Sequence, residues 1–98
     1  MRKDKTFMEA LKKIREVFRK RNLKGTAYLF GSSIREDYLR TSDIDIAVDC
    51  LEEGVVTLLR SEMEELDIPY KIELIALFEA SGELRKEILT RGVVLWKN

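Results

Sequence analysis

Asp43 and Asp45, one residue apart, follow a Gly31-Ser32 pair after ten intervening residues. If the segment around the aspartates is a strand, its period of two projects both carboxylates from the same face. Two close carboxylates repel each other unless a proton, a basic group or a metal ion compensates. A divalent cation carrying a nucleoside triphosphate would supply that compensation. Gly31 would let the backbone approach the phosphates closely, and Ser32 would offer a hydroxyl and an N–H near a helix start, a favourable place for an anion. Two magnesium ions bridged by Asp43 and Asp45 would stabilise the attacking and leaving oxygens of an in-line phosphoryl displacement.

Such chemistry calls for a third carboxylate, to complete the metal shell or activate an acceptor hydroxyl. Glu73 is the candidate, because Tyr70, Ile72, Leu74 and Ala76 take the other parity of its segment and a charge within so apolar a strand needs a partner. Pairing with Lys71 or a surface arginine is the structural alternative. Arg35, just behind the turn, could reach a phosphate or pair with Asp37 or Asp43. Ser33 and Ser42 read as cap or turn residues. Asp49 shares the carboxylate face but lies farther along, outside the candidate set.

The elements that must position these residues can be read from periodicity. Phe7, Leu11, Ile14 and Phe18 recur at helical spacing, with Thr6 and Glu9 as a capping box and Asn22 and Gly25 as the stop. Thr26–Phe30 reads as a short buried strand entering the glycine turn. Ser33 with Glu36 forms a second capping box, predicting a short helix beyond that turn. Asp43–Cys50 alternates, with Ile44, Ile46, Val48 and Cys50 facing one way. A helix is predicted from about Glu53 to Leu66, with Val55, Leu59, Met63 and Leu66 on its apolar stripe. Pro69 separates it from a strand over Tyr70–Leu77. Ser81 caps a last helix carrying Leu84 and Ile88, Gly92 ends it, and Val93–Trp96 is a closing strand or a tail packed on the core. Alternating helices and strands predict one small α/β domain over residues 1–98, built around a short sheet.

Composition narrows the chemistry further. The 98 residues include one cysteine and no histidine, so imidazole chemistry is out and oxygen ligands point to magnesium or manganese. Cys50 falls on the apolar parity and is expected to be a buried thiol, consistent with the cytoplasm. No apolar run is long enough for a membrane span, and the basic start continues into an amphipathic pattern rather than a signal peptide. Residues 1–24 hold ten Lys/Arg against three acids, and the remainder holds eight against fifteen. That basic stretch could meet an acidic partner or RNA, but the favoured reading is a solvated helix face whose cations suit the macrodipole, and direct nucleic-acid binding is not expected.

The Gly31-Ser32 pair, the ten-residue spacer and Asp43-Ile44-Asp45 resemble the minimal nucleotidyltransferases of the polymerase-beta-like superfamily. The similarity runs from Tyr28 to Trp96, and Arg91-Gly92-Val93-Val94-Leu95 is similar to the family's usual ending. The resemblance implies an α/β (α+β) fold with a short mixed sheet of three or four strands flanked by helices. It also implies ATP bound through magnesium, with Asp43 and Asp45 as metal ligands, Glu73 at the third catalytic carboxylate, and Gly31 and Ser32 on the triphosphate. Many such proteins are antitoxins paired with a HEPN-domain RNase toxin, and the resemblance implies transfer of AMP from ATP to a tyrosine of that partner, in a hetero-complex or oligomer.

The chain departs from the pattern at three points. Where the family commonly has Arg-Ala-Arg-Gly, this sequence has Ser33-Ile34-Arg35-Glu36, so one arginine is absent and a negative charge is added; Glu73 replaces the usual aspartate. These departures bear on activity rather than on the fold. They keep open a second reading, an antitoxin that neutralises its partner by binding alone. A third, a small-molecule nucleotidyltransferase such as one acting on an aminoglycoside, would need a partner chain or oligomer to complete its acceptor site.

Overall fold

The computed structural model describes residues 4–34, 43–50, 52 and 54–98. Helix α1 spans Lys5–Lys20. Its cap is Asp4, whose carboxylate accepts from the Phe7 N–H at 3.2 Å, rather than the expected Thr6. An aspartate is among the strongest N-caps, and its charge complements the helix N-terminus, so the helix begins before the Thr6-to-Glu9 box can form. At the other end Asn22 takes the left-handed conformation (φ +50), and the Leu23 N–H returns to the Phe18 carbonyl at 3.0 Å. That is the helix-ending bond expected beyond a left-handed residue, so Asn22 stops the helix as its residue type predicts.

Four strands follow in the spatial order β3-β2-β1-β4: β1 (Thr26–Phe30), β2 (Ile44–Asp49), β3 (Ile72–Ala76) and β4 (Val93–Lys97). β1 is antiparallel to both β2 and β4, whereas β2 and β3 are parallel, giving the mixed sheet. Helix α2 (Val55–Glu64) makes the crossover between the parallel pair, as parallel strands require. Val93–Lys97 is thus a strand, and Trp96 ties it to the segment after α1 by donating its indole N–H to the Leu23 carbonyl at 3.0 Å.

The alternation in β2 has the predicted sense. Ile44, Ile46 and Val48 are buried with Phe7, Leu11, Ile14, Phe18, Leu59 and Leu74, where α1 and α2 cover the sheet. Each fully buried side chain of this size contributes roughly 1.5–3 kcal/mol, so this layer supplies most of the driving force for the fold. The opposite face is covered only in part. Helix α3 (Gly82–Arg91), capped by the Ser81 hydroxyl, buries Ile88 with Ala47, Leu77 and Ala80. Ala47 lies two residues beyond Asp45, so the cover of α3 reaches the middle of that face.

Gly92 ends α3 for a reason other than left-handed geometry. Its backbone is extended (φ −63, ψ 152), but a Cβ there would lie 2.3 Å from the Ile88 carbonyl oxygen. Space, not conformation, demands glycine. Cys50 is buried and free, as its parity predicted.

Candidate functional site

The site is assembled by strand register. Phe30 of β1 pairs with Asp45 of β2, and Asp45 pairs with Glu73 of β3. Gly31, the residue after Phe30, therefore arrives beside the Asp45 carboxylate. It has φ +65, and a Cβ built on it would lie 2.6 Å from Oδ2 of Asp45. Glycine is required twice over here, once for the backbone conformation and once for the approach of the carboxylate.

Gly31–Ile34 forms a single 3-10 turn, which brings Ser32 next in line and buries Ser33. The Ser33 side chain is 2% exposed. Its Oγ accepts from the Asp45 N–H at 2.8 Å and donates to the Asp43 carbonyl at 3.3 Å. One hydroxyl thus clamps the backbone on both sides of Ile44, fixing the two aspartates relative to the glycine turn. The helix expected to be capped by Ser33 with Glu36 lies outside the described residues. Sequence spacing did not reveal the clamp, because a serine three residues before a glutamate carries no local sign of a tie to a strand ten residues on. Glu36, Arg35 and Ser42 lie outside the described residues.

Asp43 and Asp45 are half-buried, and Asp45 sits on the face opposite the Ile44–Ile46–Val48 core. Asp49 is exposed at the far end of the strand, apart from this corner. Glu73 is in a different setting. Its side chain is 50% exposed and its Oε1 is 3.1 Å from the Lys71 ammonium, itself 73% exposed. The Lys71 pKa is raised, first by the hydrogen bond to Glu73, then by the charge of Glu73 and by that of Asp43. Lys71 is therefore close enough to feel both carboxylates, and its partnership with Glu73 realises the structural alternative read from the sequence.

Among the described residues, no three acidic or cysteine side chains converge as a metal cage would require. The Asp43–Asp45 pair nonetheless fits magnesium. This ion typically takes one or two carboxylates and completes its shell with water and substrate phosphates, and the missing Cβ at Gly31 keeps the approach to Asp45 clear.

The chain matches the family described as polymerase beta, nucleotidyltransferase, over residues 12–98. Among curated proteins nothing matches it. Among solved structures, a toxin–antitoxin complex with AMP-PNP is 31% identical over 90% of this chain and 73% of that chain, with a TM-score of 0.69. The MntA–HepT toxin–antitoxin is 29% identical over 93% and 73%, with a TM-score of 0.63. A complex of the tri-AMPylated Shewanella oneidensis HEPN toxin with its MNT antitoxin is 29% identical over 94% and 73%, at a TM-score of 0.64. Among the described residues no helix is long and apolar enough to cross a membrane. With the family match running through all four strands and the glycine turn joined to the paired aspartates, the chain belongs to the polymerase beta nucleotidyltransferases, in their minimal (MNT) form.

Proposed function

We propose that this protein is a magnesium-dependent protein adenylyltransferase, an antitoxin of the cytoplasm that transfers AMP from ATP to a tyrosine of a HEPN-domain toxin. The observation that carries the proposal is the corner where Gly31 meets Asp45 while Ser33 clamps Asp43 and Asp45 together. Support for the acceptor comes from the tri-AMPylated HEPN toxin found with an MNT antitoxin of the same architecture.

In this reading the single domain over residues 1–98 holds every catalytic group. Asp43 and Asp45 bind the magnesium, which when bound neutralises charge on the triphosphate and its leaving pyrophosphate. Gly31 and Ser32 present backbone N–H groups to the phosphates, and Arg35 adds positive charge behind them. The tyrosine oxygen forms a bond to the α-phosphorus as the bond to pyrophosphate breaks. Glu73 takes the tyrosine proton, or completes the metal shell. Little covalent chemistry falls to the protein itself; positioning and electrostatics supply the rate.

Incubation with radiolabelled ATP, magnesium and a HEPN partner, followed by intact mass, tests the assignment. AMP is expected on the partner with the wild type and not with Asp43→Ala or Asp45→Asn, both variants remaining folded. Undiminished transfer by both variants would sink the assignment. A second reading, neutralisation by binding alone, draws on the exposed Glu73 already partnered by Lys71. It predicts a stable complex with no transfer and full neutralisation by Asp45→Asn.

A further inference from the structure

Lys71 is placed with the carboxylates by the sheet itself. Its carbonyl accepts from the Ile44 N–H at 2.9 Å, which holds the residue level with the Asp43–Ile44 peptide. Ile44 pairs with Ile72 and Asp45 with Glu73 in the parallel register, so the rungs at this end of the sheet carry Asp43 beside Lys71 and Asp45 beside Glu73. Register thus sets the Lys71–Glu73 ion pair beside the strand that carries Asp43 and Asp45. Residues 71 and 73 are two apart, so their side chains leave the strand on the same face, and Oε1 of Glu73 is already engaged by the Lys71 ammonium at 3.1 Å.

We propose that Lys71 is the resident counter-cation of Glu73 on the strand beside Asp43 and Asp45, holding that carboxylate until a divalent cation displaces its ammonium, so that Lys71 sets the cation affinity of the site. The inference rests on the reading of Asp43 and Asp45 as metal ligands and deepens it. Lys71 is a positioning residue in this scheme: it acts through Glu73 and touches no reacting atom. Both charges are well solvated, so exchange between ammonium and divalent ion faces no desolvation barrier of the kind a buried pair would impose. The hydrogen bond from the Ile44 N–H to the Lys71 carbonyl also keeps Lys71 at the Asp43 end of β2.

The test is a Mn²⁺ titration of the full chain at low ionic strength, read by electron paramagnetic resonance, with wild type, Lys71→Met, Lys71→Arg and Asp45→Asn. Removing one solvated like charge from beside a divalent ion should tighten Mn²⁺ binding by about three- to tenfold in Lys71→Met. Lys71→Arg, which keeps the charge, should stay within about twofold of wild type, and added salt should close the gap between Lys71→Met and wild type. Equal or weaker binding by Lys71→Met, with Asp45→Asn still impaired, overturns the counter-cation role and leaves the metal assignment standing. Wild-type binding by Asp45→Asn overturns both. The exposure of Lys71 means that Lys71→Met leaves the fold intact, so affinity rather than loss of structure is read.

Discussion

Asp45 has two strand neighbours, and they hold it in opposite ways. Toward β1 it meets Gly31, with no room for a Cβ, and a buried serine clamps its backbone to that of Asp43. Toward β3 it meets Glu73, half exposed and paired with an even more exposed lysine. A buried hydroxyl bonded on both sides restricts motion, whereas an exposed ion pair is worth little and re-forms readily. The locked side suits a group that must present a fixed geometry to metal and phosphates. The open side suits a carboxylate that has to exchange partners as ion, nucleotide and acceptor arrive.

The largest break in this contrast should come from Gly31→Ala. Left-handed geometry at alanine costs roughly 1–2 kcal/mol, and the new Cβ also falls within 2.6 Å of Asp45 Oδ2. The expected result is a stability loss of about 2–3 kcal/mol by urea unfolding, together with loss of transfer. A double-mutant cycle with Asp45→Ala separates the contributions, because that change removes the carboxylate clash and leaves the backbone strain. A coupling of about 1 kcal/mol is expected for residues in such contact. Strict additivity would show that the carboxylate and the turn do not compete for the same space.

Next in size is Ser33→Ala. It removes the acceptor of the partly buried Asp45 N–H, at a cost of about 1–2 kcal/mol. Transfer should fall with it, as the two aspartates lose their common tie. The matching change on the open side, Glu73→Gln, should alter stability by less than about 0.5 kcal/mol while lowering the transfer rate. Equal destabilisation by Ser33→Ala and Glu73→Gln would erase the proposed difference between the two sides.

The same contrast explains what was legible in the sequence. Ile44, Ile46 and Val48 announced the buried face of β2 because alternation has one physical cause, and Asp43 and Asp45 were thereby placed on the opposite face. Ser81 and Asn22 act as their types suggest, since capping is local. The N-cap of α1 was placed at Thr6 because two good caps, Asp4 and Thr6, compete within three residues and only the folded geometry selects between them. The clamp made by Ser33 was not legible for a related reason: its partners there lie ten and twelve residues away across the sheet, and no local pattern encodes a contact at that range. Glu73 was readable as needing a partner, but the choice between Lys71 and the aspartates depends on side-chain exposure and charge, which parity alone does not determine.

The smallest effect expected concerns pH, and it isolates the open side. The Lys71 pKa is raised in the folded protein, chiefly by its hydrogen bond to Glu73. A raised pKa means that the folded state binds the proton more tightly than the unfolded state. The stabilisation is therefore fully present below the unfolded lysine value of about 10.4, and it is lost as pH rises through the higher folded value. Wild type should be slightly more stable than Lys71→Met at pH 8, with the difference shrinking as pH rises past the lysine range. Comparing the two proteins at each pH cancels the titration of the other lysines and of the tyrosines. Because both partners are exposed, salt at pH 8 should shrink the same difference. Urea midpoints that separate further as pH rises would reverse the sign of the Lys71–Glu73 interaction, and with it the argument that Lys71 is what holds Glu73 in place.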